Sequence, residues 1–221
     1  MTQATSVTRA ESGFMRIWLA IITLGVGAFS IVSTELAPIG LLTPIADDLG
    51  RSESVIGLTV TAYAWIGAVS ALLSTLWLGK IPRKPLMIGL MLGLAVSNGV
   101  AMVSTAFPVL LVARAIGAVF HGLFWASIGT VAAQIAPARH VGLATSIVFG
   151  GVSAASVLGV PLAALIGQSE GWRVSFGAIA ILCFAAALAM AALIPNIKAE
   201  APVGRQALAE VLRRTDLRGI Y

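Results

Sequence analysis

Charged residues are scarce in this sequence. Asp, Glu, Lys and Arg make up 10% of its 221 residues, whereas hydrophobic residues make up 58%. Soluble domains carry roughly 25% charged residues, because a folded surface has to be hydrated. The composition therefore excludes an ordinary soluble domain and predicts a polytopic membrane protein, whose first partner is the lipid bilayer.

Cysteine and histidine are almost absent. The one cysteine, Cys183, lies in an apolar stretch and cannot form an internal disulfide, so we interpret it as a small core residue. The two histidines, His121 and His140, lack other ligands at metal-binding spacing. We therefore expect no metal site and no cofactor.

Catalytic and nucleic-acid-binding patterns are also missing. The apolar segments hold no serine–histidine pair, no HExxH and no paired aspartates, so we do not expect an enzyme. The net charge of +5 comes from basic residues in short gaps between apolar runs. Because no basic helix with interleaved aromatic residues occurs, we expect no nucleic-acid partner.

Six long apolar segments fill most of the chain. Each is about long enough to cross a hydrocarbon core of ~30 Å as a helix. Strands of an outer-membrane barrel are excluded because runs such as FAAALAMAALI do not alternate with period two. The expected spans are 16–38, 54–78, 85–105, 108–135, 141–167 and 173–194.

The basic residues predict the orientation of these spans. If the amino terminus is cytoplasmic, eleven of the 14 Lys and Arg residues fall in inner segments. Only Arg51 and Arg173 fall outside, and Arg114 lies within the membrane. Such asymmetry is typical of the positive-inside rule. We expect a multi-pass protein of the cell's inner (plasma) membrane with both termini cytoplasmic.

Two polar stretches flank the apolar region. Residues 1–15 are interpreted as a disordered cytoplasmic tail, and residues 16–194 as the six-helix bundle. Residues 195–221 are expected to form a cytoplasmic linker with a short amphipathic helix. Its last residues could begin a seventh membrane helix.

The fourth segment carries the strongest functional signal. Arg114, His121 and Trp125 are separated by seven and four residues, which places them on nearly one face of a helix. A charge within the membrane costs a few kcal/mol or more, so it faces a partner or a wet cavity. The imidazole and the indole could bind hydroxyl groups of a polar solute, or they could be packing residues. We favour cavity lining, and we hold Tyr63, Trp65 and Asn98 as weaker substrate-binding candidates.

Glu35 in the first segment is the candidate partner of Arg114. Counting 1.5 Å per helical residue puts the two residues at similar depth. An intramembrane carboxyl group can load a proton on one side and release it on the other. Two interpretations stay open, namely that Glu35 and Arg114 couple protons to transport or that they form a static pair.

Four stretches of the sequence resemble the major facilitator superfamily. They are STELAPIGLLTPIADDLG at 33–50, GKIPRKP at 79–85, LLVARAIGAVFHG at 110–122 and GGVSAASVLGVPLAALIGQSEGWRVSF at 150–176. Four short motifs are most similar to the sugar-efflux branch of the drug/proton antiporters, namely PIGLL, YAW, FHGLFW and LGVPL. The resemblance implies an all-α membrane fold, in which six helices form a 3+3 inverted-repeat half.

The resemblance also implies functions for particular residues. Lys80, Arg83 and Lys84 would belong to a loop that changes between conformational states, although the usual acidic partner is missing. Gly159 and Pro161 would belong to the antiporter helix motif. The expected function is proton-coupled efflux of a sugar or similar small polar solute. Drug or nucleoside efflux is the alternative.

Family members have twelve helices in two halves, and this chain supplies one. The expected partner is therefore a second half or a second copy of the chain, because substrate binds between halves. The rival interpretation is a truncated half without activity of its own, which acts only by assembly. If the Arg114 stripe faces outward, the isolated chain should be a dimer or larger, or should aggregate.

Overall fold

The computed structural model describes residues 2–79 and 81–197, and the side chains from Phe14 onward except 75–77. All regular structure in these residues is helical: α1 (Thr2–Gly40), α2 (Leu42–Leu49), α3 (Glu53–Trp77), α4 (Arg83–Met102), α5 (Phe107–Ile135), α6 (Val141–Ala154), α7 (Val160–Glu170) and α8 (Trp172–Leu193). Six helical stretches of the described chain are long and apolar enough to cross a membrane. The predicted all-α fold with six spans is confirmed.

Span boundaries differ from the sequence prediction mainly at the amino terminus. Helix α1 begins at Thr2, so polar residues expected to be disordered continue the helix into the first span, Phe14–Gly40. Lys80 and the predicted linker beyond residue 197 lie outside the described residues. The short helix α2 ends at Gly50, whose left-handed backbone (φ 59°) lets the chain turn towards α3.

The fifth span is interrupted. Helices α6 and α7 are joined by a π-helical turn, Ala155–Gly159, within the span Ala138–Glu170. Pro161 lies in the first turn of α7 and has no N–H to bond the preceding turn. The apolar pattern of the sequence predicted one regular helix here and gave no sign of the wider turn.

Helix contacts repeat between the first three spans and the last three. Helix α1, the first span, packs against α6 in the fifth span, and α5, the fourth span, packs in the same way against α3, the second span. The third and sixth spans, α4 and α8, pack against each other. Each of the two former pairs crosses at glycines. A side chain on Gly151 would overlap the carbonyl of Gly25, and one on Gly122 would overlap the carbonyl of Gly67. This exchange of partners is what a 3+3 repeat requires.

Helix α1 lies at the centre of the bundle. Its span is more deeply buried than any other described span, and it contacts the fifth and sixth spans along its length. Helix α5 also packs against it. Polar groups on the facing sides of α1 and α5 are therefore held out of lipid, and this is where the candidate site lies.

Candidate functional site

Arg114 is anchored to the main chain of α1. The residue is 2% exposed, and Nη1 donates a hydrogen bond to the carbonyl of Thr34 while Nη2 donates to that of Glu35 at 3.1 Å. Its guanidinium also lies 4.2 Å from the centre of the Tyr63 ring, a cation–π distance. The buried charge is thus held by two carbonyl dipoles and an aromatic face.

Pro38 explains why the Thr34 carbonyl is available. Pro38 lies inside α1, and because proline has no N–H, the carbonyl four residues earlier, that of Thr34, has no intrahelical donor. Arg114 supplies the missing donor from the neighbouring helix. A proline four residues after Thr34, together with a lone arginine in another span, was the signal in the sequence, and our sequence analysis missed it.

The carboxylate of Glu35 approaches His121 rather than Arg114. Oε2 of Glu35 lies 3.5 Å from Nε2 of His121, and the side chains are 26% and 8% exposed. The expected side-chain ion pair between Glu35 and Arg114 does not form in this described part of the chain, because the guanidinium is turned towards the backbone. The contact between these two residues is therefore a hydrogen bond from the Arg114 guanidinium to the backbone carbonyl of Glu35.

Aromatic side chains surround the imidazole. The ring centres of Tyr63 and Trp125 lie 5.2 and 6.3 Å from that of His121, in edge-on arrangements. Phe149 lies 6.1 Å beyond Trp125. The predicted stripe of Arg114, His121 and Trp125 is continuous, but its arginine and histidine point into the bundle and not towards a missing partner.

The weaker substrate-binding candidates lie in different surroundings. Tyr63 is 1% exposed and belongs to the cluster, whereas Trp65, two residues on, is 70% exposed on the other side of α3. Asn98 is buried and donates to Thr34 Oγ1 (3.2 Å) and to the Leu94 carbonyl (2.8 Å). Asn98 thus supports the turn of α1 that binds Arg114, and its predicted contact with substrate stays a prediction.

The antiporter-motif residues reach the same turn of α1. Gly159 is buried, and a Cβ there would come 2.8 Å from the Ser33 hydroxyl oxygen. A side chain at this position would require the Ser33 hydroxyl to move, so glycine lets the π turn pack closely against α1 beside Thr34. A cavity of about 140 Å³ lies beside this contact, lined by residues including Phe29, Ser33 and Leu182.

Two residues of the predicted conformational loop, Arg83 and Lys84, lie in the first turn of α4, near the opposite end of the membrane spans from this cluster. Arg83 is buried, and its N–H donates to the Ile197 carbonyl at 3.2 Å. Lys84 is half-buried and lines a recess with Arg16. The conformational role of this loop stays a prediction.

No group of three metal-ligating side chains occurs among residues with described side chains.

Fold and site together define a multi-pass membrane protein with a partnered charge cluster inside its helices. A family model described as Major Facilitator Superfamily matches residues 16–218. The chain belongs to this superfamily, which confirms the resemblance at family level. The sugar-efflux branch stays a prediction.

Solved transporters share the fold. A crystal structure of the peptide transporter POT with sulfate matches with a TM-score of 0.73 at 12% identity, covering 93% of this chain and 44% of that one. A mutant of POT with alafosfalin gives 0.72 at 13%, covering 92% and 44%. The human organic anion transporter MFSD10 (TETRAN) gives 0.60 at 19%, covering 82% and 48%. The chain spans less than half the length of each.

Proposed function

We propose that this chain is the amino-terminal half of a proton-coupled efflux transporter for sugars or similar small polar solutes. The observation that carries the proposal is the 3.5 Å contact between Glu35 and His121 within the membrane spans. Two groups that can each hold a proton, so close in a low-dielectric setting, are typical of proton pathways in transporters.

Arg114 and Glu35 have separate tasks in this proposal. Arg114 keeps its charge on the carbonyls of α1, so it fixes α1 against α5. The carboxylate is free of that bond, and with 26% of its side chain exposed it can exchange a proton with a hydrated cavity. Proton binding to Glu35 removes its charge and weakens its attraction to the imidazole. The contact is therefore sensitive to protonation.

His121 and Trp125 would bind the solute. An imidazole and an indole N–H can both hydrogen-bond hydroxyl groups, and an indole face can pack on the C–H face of a sugar ring. Because His121 also contacts Glu35, solute binding and proton binding would compete for one imidazole. Such competition is the minimum that exchange of solute against protons requires.

A second six-helix unit would complete the transporter. In this proposal the two units rock about a site near the bilayer midplane. The π turn before Gly159 and Pro161 and the loop of Lys80, Arg83 and Lys84 would change between states. Both termini would be cytoplasmic, in the inner membrane.

Two alternatives to sugar efflux stay open. The aromatic wall of Tyr63, Trp125 and Phe149 would also suit a flat nucleoside or drug, which favours the drug or nucleoside exporter. In the other alternative the half has no activity of its own and acts only by assembly with a partner.

Inverted membrane vesicles distinguish these functions. Vesicles from cells that produce the complete two-unit transporter, and from cells that lack its gene, receive an inside-acid proton gradient and a labelled sugar, nucleoside or lipophilic cation. We expect gene-dependent accumulation of a sugar that a protonophore abolishes. Accumulation of the nucleoside or cation alone would assign the alternative exporter, and no accumulation of any class would contradict proton-coupled efflux.

A further inference from the structure

A basic recess lies where three membrane spans end on one side of the bundle. It has a volume of about 340 Å³ and is lined by Arg16, Ile17, Lys84 and the segment Leu193–Asn196. Arg16 lies near the start of the first span, Lys84 near the start of the third and Leu193 at the end of the sixth. The recess therefore sits at a membrane boundary, away from the transport cluster.

Two cations share this recess without an acidic neighbour. Among the described residues that line it, none is Asp or Glu. Arg16 uses Nη2 to donate to the Ala192 carbonyl at 3.0 Å, which orients its guanidinium at the end of α8. Lys84 lies in the first turn of α4, where the helix dipole adds positive potential. The site attracts an anion.

We propose that the recess binds the phosphate group of an anionic membrane lipid. Arg16, Lys84 and the Asn196 amide would hold the phosphate, while Ile17 and Leu193 offer apolar surface to the start of an acyl chain. Soluble phosphate presents the same charged oxygens. The position at the membrane boundary favours the lipid, and the charge bias places the recess on the cytoplasmic side, where basic pockets between spans bind acidic headgroups.

The bound lipid would tie three helix ends together. Arg16 belongs to α1, whose other end carries the carbonyls that bind Arg114. Lys84 follows Arg83, whose N–H is bonded to Ile197 beyond α8. A phosphate held by Arg16 and Lys84 would therefore link the first, third and sixth spans at their cytoplasmic ends.

Isothermal titration of the delipidated chain in mild detergent tests the proposal. The titrants are short-chain phosphatidylglycerol, phosphatidylcholine with the same acyl chains, and inorganic phosphate. We expect one phosphatidylglycerol per chain and about tenfold or more weaker binding of phosphatidylcholine, whose choline cancels the phosphate charge. Inorganic phosphate that binds as tightly as phosphatidylglycerol would identify free phosphate as the ligand and overturn the lipid proposal. Phosphate that binds at least about tenfold more weakly would identify the lipid.

Single variants locate the site. R16Q and K84Q should each weaken phosphatidylglycerol binding several-fold, and R16K and K84R, which keep the charge, should restore most of it. The matched control is R139Q, which removes an exposed cation between α5 and α6 on the same side of the membrane. Equal binding of the two lipids, or equal loss in R139Q, would overturn the proposal. The lipid comparison needs no variant, so it holds even if one fails to fold.

Discussion

At the scale of single residues, α1 has a backbone carbonyl without a helical donor, and Arg114 supplies a hydrogen bond to it. Pro38 deprives the Thr34 carbonyl of its helical donor, and the guanidinium of Arg114 replaces that donor and also reaches the next carbonyl. The sequence predicted that Arg114 needed a partner, because charge within a membrane is costly. It could not predict whether that partner would be a side chain or a carbonyl, since this depends on how the two helices are rotated.

Arg114→Lys should lower the thermal stability of the protein. An ammonium group keeps the charge but cannot span both carbonyls, so about 1.5–3 kcal/mol is lost with one charged hydrogen bond. Cys183 is buried and is the one cysteine in the sequence, so its labelling by a thiol-reactive dye during heating reports unfolding.

The matched control is Arg173→Lys. Arg173 also binds a carbonyl, that of Ser104, and also lies over an aromatic ring, that of Trp172. Its side chain is 33% exposed, so water can replace a lost bond. R173K should therefore shift the apparent Tm much less than R114K. Equal shifts would mean that burial of the Arg114 anchor contributes little.

At the scale of helices, two crossings need glycine, and this leads to a second prediction. Gly122→Ala should destabilise the protein because its methyl group would overlap the Gly67 carbonyl and force α5 away from α3. The expected cost is about 1–3 kcal/mol. Gly129→Ala is the control on the same helix, since no atom lies within 4 Å of its added Cβ. The apparent Tm from Cys183 labelling gives both values.

The equivalent crossing in the repeat should respond in the same way. Gly151→Ala overlaps the Gly25 carbonyl, whereas the adjacent Gly150 has open space around it. If G151A and G150A are equally stable, the close approach of α6 to α1 is wrong. The sequence contains 23 glycines, and the two pairs that meet could not be identified from it, because register between helices is a tertiary property.

The interrupted fifth span shows a further limit of sequence analysis. Its apolar length predicted one membrane helix, and the described chain contains that span. Its π turn depends on Pro161 and on the approach of Gly159 to Ser33. A proline predicts a local break, but the neighbouring helix decides what form the break takes.

At the scale of the whole molecule, orientation is the third prediction. A cysteine at Glu53 should react with a membrane-impermeant reagent in intact cells, and a cysteine at Lys84 only after permeabilisation. The reason is the bias of eleven inner against two outer basic residues. Native Cys183 is buried and should give little background. Reversed labelling would contradict the cytoplasmic assignment of both termini.

The buried stripe changes the expectation for the isolated chain. We expected a dimer or larger assembly, or aggregation, because Arg114 would otherwise face lipid. Arg114 is instead buried and bonded to two carbonyls of α1 inside one copy, which removes that reason. We still expect no concentrative transport by this chain alone, because the proposed site lies between two six-helix units and the chain supplies one of them. As a fourth prediction, the purified chain in proteoliposomes with a proton gradient should concentrate no sugar. Sugar accumulation by the chain alone would contradict the two-unit proposal.

The central claim is that Glu35 carries the coupled proton. The most direct measurement compares Glu35→Gln with the unsubstituted protein, each within a complete two-unit transporter, in inverted membrane vesicles. Glu53→Gln is the matched control, because Glu53 is an exposed carboxylate that accepts a hydrogen bond from Thr43 outside the cluster. We predict that E35Q abolishes accumulation driven by the proton gradient while substrate binding remains measurable, and that E53Q accumulates normally. Undiminished proton-driven accumulation in E35Q would contradict the account.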